Sequence, residues 1–161
     1  MPAQFDDILI RTACRDDVPA LAAMAGEFYA CLAAIDGSDP AFDVADAATK
    51  LESAGFGPRP LFTALIAEAD GHPASYAIYN LGVWADTFAG VVFVSDLFVR
   101  EPWCGRGVGR RLMERIANAG RAEGCTRIMW TVWSRNEAAR QFYRAIGAAA
   151  VEDEILMSLQ I

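Results

Sequence analysis

Histidine and lysine are nearly missing from this chain of 161 residues, in which His72 and Lys50 stand alone. With a single histidine, and with Cys14, Cys31, Cys104 and Cys125 scattered without CxxC spacing, the usual zinc ligand sets cannot be assembled, so no metal site is expected. The scatter also speaks against a disulfide framework; reduced thiols in a cytoplasm are the expectation. Residues 1–10 lack a basic segment followed by an apolar one. No apolar run reads as approaching the roughly 20 residues that a bilayer span needs, so no membrane partner is expected. Basic residues are outnumbered 14 to 21, a formal net charge of −7. Nucleic-acid phosphates call for a basic surplus, so no nucleic-acid partner is expected, and a small cationic ligand suits the chain better.

What is present is a core. Apolar residues make up 54% of the chain and charged ones 22%, enough for one domain over residues 1–161. A short strand fits residues 8–11. Asp16 or Asp17 then opens a helix with Pro19 in its first turn, and Leu21, Met24, Phe28 and Leu32 recur at helical spacing. Asp43 opens a second helix, which Gly55 and Gly57 stop. Apolar runs at 61–69 and 74–83 around Asp70-Gly71 predict an antiparallel hairpin, with His72 as an exposed turn residue. Residues 90–99 are apolar on both parities, with Val92, Val94 and Phe98 on one and Val91, Phe93, Leu97 and Val99 on the other, as in a sheet covered on both sides. Ser95 and Asp96 are the anomaly within that strand. A helix over 108–120, a strand over 125–133, a helix from Asn136 to about 146 ended by Gly147, and a closing strand at 155–159 complete a mixed α/β order.

The sharpest chemical signal is the turn Trp103-Cys104-Gly105-Arg106-Gly107-Val108-Gly109-Arg110. Alternate glycines remove side chains where an anion would approach the backbone, and the helix that follows offers unpaired N–H groups and a positive dipole end. Five arginines between Arg100 and Arg115 face only Glu101 and Glu114. Neither a GxGxxG motif nor a GxxxxGK[ST] motif is completed, so the anion is neither a dinucleotide nor a P-loop nucleotide. A turn that serves only close helix packing is the alternative.

A second cluster lies downstream, where Asn136 stands at a helix start and Phe142-Tyr143 follow on the same helix. With the glycine loop, in this order and at this separation, it resembles the GNAT superfamily of acetyl-CoA-dependent N-acetyltransferases. Leu51-Glu52-Ser53-Ala54-Gly55-Phe56-Gly57 and Ser95-Asp96-Leu97-Phe98-Val99 look like the diamine (spermidine/spermine) branch. The resemblance implies a mixed, mostly antiparallel sheet flanked by helices on both faces, a homodimer, and acetyl-CoA as cofactor. It assigns the pantetheine arm to the main chain of Leu97, Phe98 and Val99. The pyrophosphate goes to Gly105, Arg106, Gly107, Val108, Gly109 and Arg110, and further cofactor contacts to Asn136, Ala139 and Tyr143. Cys104 stands where the family's loop begins with arginine or glutamine.

Tyr143, at the matching family position, is the candidate general acid, because a phenol with an ordinary pKa near 10 delivers a proton without being ionised at neutral pH. The attacking amine carries a proton that something must take up. Asp96 is the candidate, an acid in an apolar strand being costly unless it is paired or opens on a cleft; a strand-end Asp bonded to backbone is the other reading. The diamine branch has an acidic pair where this chain has Ser95-Asp96. Glu27, Trp84 and Asp96 are the candidate substrate-binding residues, with a solvated glutamate and packed aromatics (Trp84, Trp130, Trp133) as the alternatives. The expected reaction is direct attack of a primary amine (polyamine, diamine or a related small amine) on acetyl-CoA, helped by a main-chain N–H near Phe98. A covalent intermediate on Cys104 is disfavoured, because no histidine is at hand to activate it. A protein or aminoglycoside-like amine, and a non-catalytic acyl-CoA sensor, are the competing readings.

Overall fold

The computed structural model describes residues 8–152 and 154–161. The chain divides into two compact units, Met1–Thr131 and Val132–Ile161. The first holds strands β1 (Ile8–Thr12), β2 (Thr63–Ala69), β3 (His72–Trp84), β4 (Ala89–Val99) and β5 (Cys125–Trp130) and helices α1 (Val18–Asp36), α2 (Val44–Phe56) and α3 (Val108–Ala122). Its sheet runs in sequence order from β1 to β5. Neighbours pair antiparallel up to β4, and β5 pairs parallel to β4 across the α3 crossover. This is the mixed, mostly antiparallel sheet that the resemblance implies.

Local chemistry accounts for the boundaries. The carboxylate of Asp43 accepts from the N–H groups of Ala45 and Asp46 and starts α2. Asp70 and Gly71, both at positive φ, close the β2–β3 hairpin. Asp17 precedes α1 without a side-chain cap bond to it. Its carboxylate is held by Arg11 at 2.7 Å, and the same guanidinium reaches Glu68 at 2.6 Å, which ties β1, β2 and the start of α1 together. That pairing holds the Asp17 carboxyl well below the usual carboxylate range.

Helices cover both faces of the sheet. Leu21 and Met24 of α1 pack with Ala64, Ile66 and Tyr76 on one face. On the other, α3 buries Leu112 and Ile116 and brings Gly120 so close that a Cβ there would stand 2.5 Å from the Val92 side chain. A β-bulge decides which residues of β4 face which helix. Ile78 lies opposite Asp96, and the next residue, Tyr79, lies opposite Val94, so Ser95 is the extra residue. One extra residue exchanges the faces of everything beyond it. Phe98 therefore shares the α1 face with Asp96, and it is Leu97 and Val99 that continue the face of Val92 and Val94. This corrects the expected parity.

Three further expectations change. The helical stretch Arg15–Asp36 is, by length and composition, apolar enough to cross a membrane, because Glu27 is the one charge among the first eighteen residues of α1. Here α1 lays one face on the sheet, with Leu21, Ala22 and Met24 fully buried and Glu27 in an ion pair. The strand expected over 125–133 stops at Trp130, which leaves Trp133 in the second unit.

That second unit contains α4 (Glu137–Ala145), capped by the Asn136 side chain accepting from the Ala139 N–H at 3.1 Å. Gly147, at φ 92°, ends it. The closing strand expected at 155–159 is not formed among the described residues, and Ile155, Leu156, Met157 and Leu159 are exposed. Their alternating pattern is a local property, whereas a strand also needs a paired neighbour, and no pairing to this segment is formed among the described residues.

Candidate functional site

The bulge at Ser95 builds the centre of the site. It turns the Asp96 side chain onto the α1 face, where the Tyr76 hydroxyl donates to its carboxylate. Burial pushes the Asp96 carboxyl up to about 6, against the opposing pull of the Tyr76 hydrogen bond and the Leu97 amide. Burial first, and then the Asp96 charge, push the Tyr76 phenol far above its ordinary value, so the proton of the pair stays on the phenol. One step along, Phe98 lies opposite Tyr76, with ring centroids 6.2 Å apart, and Phe28 of α1 covers it at 5.9 Å. Beyond Phe28, Tyr29 stacks on Phe42 at 4.7 Å.

Glu27 sits above the next step and is already engaged. Both its oxygens accept from Arg100, the shortest contact being 2.6 Å. Its charge is therefore largely neutralised. Trp84 is not brought to Asp96: it stands at the other end of the β3–β4 ladder opposite Ala89, about 20 Å away at the rise of an extended strand. There its ring carries the Arg127 guanidinium at 4.6 Å.

The outer edge of β4 supplies main-chain groups. The Arg100 N–H donates to Ala74 at 3.0 Å, which fixes the alternation: Phe98 and Asp96 point their N–H and C=O toward β3, Leu97 and Val99 toward the other side. Pairing with β5 ends at Val94 and Trp130. Past the bulge the outer groups of Leu97 and Val99 thus lie on an edge with no strand partner among the described residues, and the amides nearest Phe98 that face outward are theirs. A buried Ser75 hydroxyl donates to the Phe98 carbonyl and pins the strand from behind.

The glycine loop follows directly. Gly105 and Gly107 lie at φ 72° and 80°, with open space where a Cβ would be. Gly107 precedes α3 without a side-chain cap, and the first hydrogen bond of the helix runs from the Arg111 N–H to the Gly107 carbonyl. The amides of Val108 and Gly109 come before that bond, in the helix's positive end. The arginines divide. Arg100 is spent on Glu27, Arg111 donates to the Ile8 carbonyl at 2.8 Å, and Arg106 lies over Trp103 at 4.9 Å. Cys104, in contact with the Val99 and Arg100 carbonyls, has its thiol pushed up by burial, which makes it a poor nucleophile.

This sequence of bulge, unpaired edge and glycine turn coincides with a family match. Residues 27–148 fit the Acetyltransferase (GNAT) family. The chain belongs to that family. Among curated relatives, the thialysine N-epsilon-acetyltransferase of Bos taurus is 28% identical over 105 residues, 61% of this chain and 62% of that protein. The spermidine/spermine N(1)-acetyltransferase-like protein 1 of Homo sapiens is 26% identical over 93% of this chain and 22% of its own length. The chain therefore matches under two thirds of either relative. An integron cassette protein from the mobile metagenome of V. cholerae shares the fold with a TM-score of 0.80 at 24% identity, covering 95% of this chain and 92% of its own. An aminoglycoside N-acetyltransferase solved with CoA has a TM-score of 0.78 at 18% identity, covering 100% and 99%.

In the second unit of this GNAT chain, Tyr143 is half-buried beside Phe142, with ring centroids 5.1 Å apart. The Ala139 N–H is committed to the cap made by Asn136, so those two residues are joined to each other through that bond. Sequence reasoning missed Tyr76 and Arg100. The signal for Tyr76 was a phenol in the strand that pairs with the one carrying Asp96, readable only once the bulge sets the register.

Proposed function

We infer that this chain is an acetyl-CoA-dependent N-acetyltransferase acting on a compact primary amine. The observation that carries the reading is the β4 bulge. It aims one carboxylate, Asp96, at the α1 face and, within the next few residues, leaves outward main-chain groups at Leu97 and Val99, followed by a side-chain-free turn.

The donor set fits a coenzyme A thioester. An extended amide-bearing arm needs alternating N–H and C=O groups along an open edge, which Leu97 and Val99 supply, and a diphosphate needs amides without crowding side chains, which residues 105–109 supply. When bound, acetyl-CoA supplies an activated acetyl group. The Leu97 amide serves Asp96, so the outward Val99 N–H would be the main-chain donor for the charge that develops on the acetyl oxygen. Asp96 accepts the proton of the incoming ammonium, whose ordinary pKa near 10 keeps it charged at neutral pH. Tyr143 is assigned, on the family resemblance, to protonate the departing sulfur.

The preference for a compact amine follows from the charges. An extended polyamine needs two or more spaced acids, and Glu27 is taken by Arg100, whereas Asp96 has no ion-pair partner among the described residues. Aromatic faces at Phe28, Tyr29 and Phe42 suit a single ammonium with an alkyl body. The test is thiol release from acetyl-CoA against thialysine, lysine, small diamines, spermidine, aminoglycosides and peptide amines. Turnover confined to short amines supports the reading; preference for spermidine or for peptides overturns the assignment of substrate, and no turnover with any amine overturns the activity.

A further inference from the structure

We propose that Tyr76 is a positioning residue of the acetyl-transfer site, its hydroxyl holding the Asp96 carboxylate in the orientation and charge state in which it takes the proton of the acceptor amine. The proposal rests on the functional reading above and goes beyond it by naming the group that governs the base.

The geometry argues for it. Asp96 reaches Tyr76 only because the extra residue Ser95 rotates it onto the α1 face; in a regular strand it would lie among Val92 and Val94 against α3. A strand that pays for a bulge at this point obtains one hydrogen bond, from a phenol only 1% exposed, to a carboxylate next to the outward-facing Leu97. Tyr76 is fixed in turn by Phe98 opposite it, by Leu21 and Met24 of α1 and by Ile66 of β2. The phenol is shut off from bulk solvent, so its O–H, with the Leu97 amide beside it, sets the carboxylate's direction.

Among the described residues, no charged group shares the task. On α1, Glu27 is bound to Arg100, and Tyr29 bears on the Tyr76 phenol, not on Asp96. On β4, the Leu97 amide assists. The facing residues of β2, Ala64 and Ile66, are apolar. The phenol stays protonated, so it donates and does not itself accept the amine's proton. The transfer is one proton from the ammonium nitrogen to an Asp96 oxygen, which leaves a neutral amine with its electron pair and a carboxylic acid still bonded to Tyr76.

Two measurements on Tyr76→Phe test this. The variant keeps the ring that packs on Phe98 and loses only the O–H. In the pH profile of kcat/KM for the amine, the acidic limb of the wild type is expected near Asp96's value of about 6. Loss of a hydrogen bond to a charged acceptor should move that limb upward by about one pH unit, so activity falls roughly fivefold near pH 6, approaches tenfold near pH 5 and is almost unchanged near pH 8.5. The second measurement is the titration of carbon-13-labelled aspartate without substrates, where the Asp96 resonance should shift by the same amount. An equal loss of activity at every pH, or an Asp96 resonance unmoved by the variant, overturns the proposal, as does a wild-type Asp96 that titrates like an ordinary carboxylate. If the wild type releases no thiol with any amine, the functional reading fails on its own, and the carbon titration still decides whether Tyr76 governs Asp96.

Discussion

Single atoms decide the chemistry proposed for this chain. Asp96 carries an elevated affinity for its proton because it is buried, and it remains a usable base because Tyr76 and the Leu97 amide favour its ionised form. A carboxyl titrating near 6 is ionised at pH 7, so acetyl transfer should rise with pH through that region and level off above it. Tyr143 is the residue proposed to act at the other end of the reaction. Replacing it with phenylalanine should lower kcat by about a hundredfold, within the range expected for one positioned acid, while the Kd for acetyl-CoA changes less than about twofold. Stopped-time thiol assays and calorimetry separate the two, and an unchanged kcat removes Tyr143 from the mechanism.

At the scale of elements, the loop between β4 and α3 carries the cofactor reading. Gly107 sits in the left-handed region at φ 80°, where a side chain is strained by about 1 kcal/mol, but nothing stands near a Cβ position, so Gly107→Asp should fold with reduced stability. Its carboxylate would stand where the turn offers amides to an anion. The Kd for coenzyme A should weaken by tenfold or more, about 1.4 kcal/mol, in calorimetry, with the melting temperature lowered by about 2–4 °C; retained affinity would place the diphosphate elsewhere. The glycine pattern, the helix starts at Asp43 and Asn136 and the Asp70-Gly71 turn were legible in the sequence because each is local chemistry. The bulge was not. Ser95 marked an irregularity in an apolar run, but which face Phe98 and Asp96 occupy depends on pairing with β3, a residue-by-residue register that strand composition does not encode. The engagement of Glu27 by Arg100, 73 positions later in the chain, was hidden for the same reason, and so was the fate of residues 155–159, whose alternation predicts a strand without naming its partner.

For the molecule as a whole, charge is the governing quantity. The chain bears a formal net charge of −7 yet is expected to bind one anionic and one cationic substrate. The long-range field favours the cation, and the anion depends on local amides and on arginines such as Arg106 that lie near the loop. Raising the ionic strength from about 0.01 to 0.15 M should therefore lower kcat/KM for an ammonium acceptor by roughly threefold and leave kcat/KM for acetyl-CoA unchanged or higher. Parallel decline of both would mean that the field plays no part in selecting the acceptor.

The proposed grip on coenzyme A lies along the β4 edge beyond Ser95 and in the turn after it. Titrating coenzyme A into nitrogen-15-labelled protein tests it most directly. The largest amide shifts are expected at Leu97, Val99, Gly105, Gly107, Val108 and Gly109. Shifts centred on other elements, or none at saturating ligand, would contradict it.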